Sequence, residues 1–83
     1  MKFELVAKGH ECESGDEIYH GYQPSVSACA KKCYEQATMF IFGTAGHKCN
    51  SDGHCACYCE KSGTPAGDCD LQDDFKYDAY KFV

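Results

Sequence analysis

The 83-residue chain has no arginine, no tryptophan and a single asparagine, and no apolar run approaches the roughly 18 residues a membrane span requires. Without arginine the chain lacks the planar fork that grips phosphate or sulfate bidentately. Thirteen carboxylates against eight lysines leave a formal net charge of -5, so nucleic acid and heparin-like polyanions are disfavoured as partners. Asn50 is followed by Ser51 and Asp52 and is not a glycosylation sequon. The opening MKFELVAKGHEC has only a brief apolar stretch, broken by Glu4, which is too short for a signal-peptide core of roughly 7 to 15 residues. Met1 therefore reads as the start of an expressed mature domain without its leader.

What the chain has in abundance is cysteine. Eight in 83 residues is the density of a disulfide scaffold in a short extracellular protein. A chain of this size buries only about 60% of its unfolded surface, and cross-links commonly make up for the small core. One domain, residues 1–83, secreted and stapled by four bridges, is the expectation. Eight cysteines allow about 105 pairings, so the layout must narrow them.

Phe3 to Ala7 alternates like a half-buried strand ending at Gly9, and Ile18 to Tyr22 is a second short extended candidate. Ser25 is placed to cap a helix in which Val26, Cys29, Ala30, Cys33, Tyr34 and Ala37 share one face, predicting about three turns over residues 25–37. Thr38 to Phe42 reads as a buried strand stopped by Gly43, and a polar loop runs to His54. Cys55 to Glu60 alternates with period two, which sets Cys55, Cys57 and Cys59 on one face. Lys61 to Asp74 reads as irregular, and Tyr77 to Val83 as a closing strand.

Cys29 and Cys33 lie about 6 Å apart along a helix face, and alternate residues of a strand about 6.6 Å apart. Two bridges from the helix to two members of the Cys55, Cys57, Cys59 row would staple helix to sheet. The third strand cysteine, most simply Cys55, has Cys49 as its neighbour, which leaves Cys12 with Cys69. The fold expected is α+β: an antiparallel sheet packed against one helix.

The segments SACAKKCYEQA, MFIFG, CACYCE and YDAYKFV, in that order, resemble the PAN/apple domain, in the short form of extracellular invertebrate proteins, from about Glu11 to Val83. The resemblance implies a five-stranded antiparallel sheet crossed by one helix, and a binding module for proteins or carbohydrates in adhesion. In many apple domains the second helix cysteine pairs at the entry of the next strand, where this chain has Met39. Cys33 must find its partner among Cys49, Cys55, Cys57 and Cys59, and the family pairing does not transfer there.

His47, Cys49, His54, Cys55, Cys57 and Cys59 form a ligand-rich stretch, but C-x-C spacing suits a tetrahedral ion poorly and bridged thiols are lost as ligands. No metal, no cofactor and no catalytic constellation is expected. Six tyrosines and five phenylalanines exceed what so small a core needs, so recognition is expected from exposed rings. Two candidate platforms follow: the segment Tyr19, His20 and Tyr22, with His20 and Tyr22 on one face and Tyr19 on the other, and an acidic turn of Asp73, Asp74, Lys76 and Tyr77. The competing reading of the first is sheet cover, and of the second a solvated loop; the acidic stretch Asp68 to Asp78 lacks the glycine and final glutamate of an EF-hand. Function is expected to be recognition of an extracellular protein or glycan. A self-associating matrix component and a secreted antihemostatic inhibitor are the alternatives.

Overall fold

A computed structural model describes residues 1–13, 15–61, 63–64 and 67–83. Five strands, β1 (Phe3–Cys12), β2 (Glu17–Gln23), β3 (Met39–Gly43), β4 (Cys55–Glu60) and β5 (Leu71–Phe82), form one antiparallel sheet in the order β1-β5-β3-β4-β2. One helix, α1 (Val26–Cys33), crosses it. Ser25 caps α1 as its sequence position predicts: the backbone is extended there and Oγ accepts from the Ala28 amide at 3.1 Å. The helix stops a turn earlier than the predicted Ala37. The amides of Gln36 and Ala37 both donate to the Cys33 carbonyl, and this turn swings the chain into β3.

The sheet has two differently built faces. On the side of α1, Cys29, Ala30, Cys33, Phe40, Phe42, Cys57 and Cys59 make a closed core. The Phe40 ring stacks on Tyr80 at 5.0 Å and meets Phe3 edge-on at 5.6 Å. Two disulfides, Cys29–Cys57 and Cys33–Cys59, join helix to strand, so the matched ladders select Cys57 and Cys59. Cys49–Cys55 closes the short loop and Cys12–Cys69 spans 57 positions. All eight cysteines are bridged, including the stretch weighed as metal ligands. Among the described residues no helix is long and apolar enough to cross a membrane.

Three features depart from the sequence reading, each through a backbone irregularity. Gly9 does not end β1; it takes a left-handed φ of 66° and the strand continues to Cys12. There the pairing jumps from Lys8↔Asp78 to His10↔Asp73, while the Gly9 amide donates to Asp78 Oδ1 at 2.9 Å. The stretch read as irregular from Lys61 to Asp74, of which Ser62, Pro65 and Ala66 lie outside the described residues, gives way to strand at Leu71, because Leu71 and Gln72 pair with Cys12 and Glu11 beside the Cys12–Cys69 bridge. Asp73 and Asp74 therefore lie within β5 and not in a turn. Finally, β2 carries a bulge at Gly21, described below, that reverses the predicted faces of its side chains.

Candidate functional site

The back face of the sheet, opposite α1, has its own smaller core of Cys12, Met39, Ile41, Ala56, Cys69, Tyr77 and Ala79. The Cys12–Cys69 bridge holds the segment before β5 over one end, where Gly63 lies against Met39 and Gly67 against Val6. Tyrosines collect on the part of this face next to Cys12.

The β2 bulge sets up this collection. Tyr19 pairs with Tyr58 and Tyr22 with Ala56, so β2 spends three residues where β4 spends two. Gly21 takes the extra turn at φ 72°, a conformation that side chains other than glycine's resist. As a result Tyr19 and Tyr22 share the back face, and the alternation predicted for this segment, with His20 beside Tyr22, is corrected. His20 goes to the helix side, where Nε2 lies 2.9 Å from Gln36 Oε1 in an open groove with Lys31, Lys32 and Tyr34. Tyr22 donates its hydroxyl to the His47 carbonyl at 2.6 Å, tying β2 to the loop before β4.

Three rings form a row across β2, β4 and β5. Tyr19 and Tyr58 lie 4.8 Å apart at 36°, and Tyr58 meets Tyr77 at 6.0 Å, nearly perpendicular. Lys48 holds its ammonium 5.5 Å from the Tyr77 ring centre. Tyr19 is 52% exposed, Tyr58 half-buried and Tyr77 buried, so the row slopes from solvent into the sheet. Burial pushes the phenol of Tyr77 up to about 12 and raises that of Tyr58, so both hydroxyls stay protonated near neutrality.

Beneath the row is a cavity of about 160 Å3 lined by Glu11, Cys12, Glu13, Glu17, Ile41, Tyr58 and Tyr77. Asp74 reaches the site through Glu11. A hydrogen bond between the two carboxyl groups, then burial, then the charges of Asp74 and Glu17 raise Glu11 to about 7, while the same bond holds Asp74 below its ordinary value. Asp74 Oδ1 also accepts from the Lys76 amide at 3.1 Å, and the Lys76 ammonium lies 4.0 Å from Oδ2.

The two sequence candidates thus contribute to one site, in part. Tyr19, Tyr22, Asp74, Lys76 and Tyr77 converge on or beside it. His20 is on the other face, and Asp73 is turned away to His10 Nε2 at 2.9 Å, with its side chain 95% exposed. Tyr58, Glu11, Glu13, Glu17 and Lys48 are additions. A signal for Tyr58 was present: flanked by Cys57 and Cys59, it must point away from the helix by period-two alternation. Glu11 and Glu17 carry no such local mark, since only strand pairing brings β1, β2 and β5 together. The arrangement offers ring faces for stacking, carboxylates to accept from hydroxyl or ammonium donors, and phenolic hydroxyls as donors. No protein-family model, no curated protein sequence and no solved structure matches the chain.

Proposed function

We propose that the protein is a PAN/apple-like extracellular module, without catalytic activity, that recognises a protein or a glycan through the tyrosine face. The observation that carries this reading is the row Tyr19, Tyr58 and Tyr77 bordered by Glu11, Glu17 and Asp74 on the one sheet face the helix leaves open. Rings with polar tips beside oriented acceptors suit stacking and hydrogen bonding to a sugar or to a partner's side chains. Four disulfides fit an oxidising, extracellular setting.

Self-association as a matrix component is the second class of function. Both free edges work against it: β1 is irregular at Leu5/Ala7 and Lys8/His10, and β2 between Tyr19 and Tyr22, which blunts strand-to-strand joining. A glycan and matrix-protein array combined with sedimentation separates the two. Saturable binding by a monomer supports recognition; concentration-dependent assembly without ligand overturns it. The charge of -5 and the absence of arginine predict no retention on heparin at physiological salt.

A further inference from the structure

The back-face cavity combines walls seldom found together: two tyrosine rings nearly perpendicular to each other, and three glutamates. Each class of occupant meets these walls differently. An anion is repelled by Glu11, Glu13 and Glu17. A wholly apolar group strips water from those carboxylates and gives nothing back. A sugar hydroxyl bonds to them but leaves their charge uncompensated. A compact cation with an apolar stem satisfies both kinds of wall, because ring faces attract cations and carboxylates bond to ammonium.

The chain already uses this chemistry beside the cavity. Lys48 sets its own ammonium over the Tyr77 ring, and Lys76 approaches Asp74. Negative charge is crowded here: the Asp74 bond, burial and the charges of Asp74 and Glu17 raise Glu11 to about 7. A volume of about 160 Å3 corresponds to roughly five waters, enough for an ammonium head and part of an alkyl stem.

We propose that this cavity receives the alkylammonium side chain of a lysine on a partner protein, with the ammonium among Glu11, Glu13 and Glu17 and the stem against Tyr58 and Tyr77. The inference rests on the tyrosine face being the recognition surface and narrows its ligand from protein or glycan to protein. As the ammonium enters, Glu11 releases its proton to solvent. The groups around Glu11 are Glu13, Glu17, Asp74, Lys48 and Lys76, with Tyr58 and Tyr77 keeping their protons. With Glu11 at about 7, affinity falls about tenfold from pH 8 to pH 6.

The test is a titration of the intact, disulfide-bonded protein with Nα-acetyl-lysine methylamide, followed by the ring resonances of Tyr58 and Tyr77. Its control is the norleucine analogue, which keeps the stem and lacks the ammonium. The expected result is a saturable shift of both rings by the lysine probe alone, about tenfold weaker at pH 6, with the pH dependence abolished in Glu11→Gln and affinity reduced about tenfold in Glu17→Gln. Equal responses to the two probes, or no saturable shift, overturn the proposal. An array glycan that moves the same rings while the lysine probe does not would overturn it and leave the tyrosine face as the recognition surface. If array ligands bind without moving those rings, the broader reading fails as well.

Discussion

The two faces of the sheet are built from the same strands by opposite means. The helix face is closed by Phe40, Phe42 and two disulfides, with Cys29, Cys33, Cys57 and Cys59 fully buried. The back face is held by Cys12–Cys69 and beside that bridge presents tyrosine rings and carboxylates that repel one another. The first face is closed by its helix and two staples, while the second has a buried core of its own and beside it holds crowded charge and exposed aromatic surface. A small domain gains this freedom because covalent staples replace apolar area it does not have.

The sharpest way to break the comparison is to remove the staples. Full reduction is expected to unfold the chain cooperatively, seen as loss of near-ultraviolet dichroism and amide protection; the 57-position Cys12–Cys69 closure alone is worth about 4 kcal/mol by chain entropy. Next in size, Phe40→Ala, at a fully buried ring, should destabilise by about 3–5 kcal/mol in urea unfolding. Gly21→Ala forces an alanine into a left-handed backbone and should cost about 1–2 kcal/mol. Because the bulge orients Tyr22, the same change should also disturb the Tyr22–His47 bond, detectable in the His47 carbonyl resonance. Tyr19→Ala, at the exposed end of the row, should cost about 0.5–1.5 kcal/mol while weakening ligand binding. A substitution at Tyr19, Tyr58 or Glu17 that destabilised as much as Phe40→Ala would contradict the division between the faces.

The smallest effect is a pH dependence confined to the back face. Glu11 is raised from 4.5 to about 7, so the folded state holds a proton that the unfolded chain gives up. Stability from this group is present below about 4.5 and declines as pH rises through about 7. Asp74 has the opposite sign: its contribution is present above 3.8 and is lost in stronger acid. Glu11→Gln should flatten the profile between pH 5 and pH 7 in thermal melts and leave Phe40 packing unchanged.

The helix face was the more legible in sequence, because its marks are local. Cysteines four apart on a helix and two apart on a strand declare their faces before any fold is known, and Ser25 announces the helix start. The back face depends on non-local events. The bulge at Gly21 inverts side-chain direction within β2, as an inserted residue must when the period is two, and at Gly9 the pairing skips extra residues of β5. The Gly21 bulge carries His20 out of the site and brings Tyr19 beside Tyr22. Glycine was read at Gly9 as a stop, where its left-handed φ instead lets the strand continue. The early start of β5, and with it the meeting of Asp74 and Glu11, follows from a pairing between positions about sixty apart in the chain, which no sequence window contains.

The most direct test of the division is binding by three proteins on one array of glycans and matrix proteins: the unmodified chain, a back-face variant Tyr19→Ala/Tyr58→Ala, and a helix-side variant Lys31→Ala/Lys32→Ala/Tyr34→Ala, each verified as folded by amide dispersion. Binding should be lost in the back-face variant and retained in the helix-side one. Retention in the first and loss in the second would contradict the assignment of recognition to the tyrosine face.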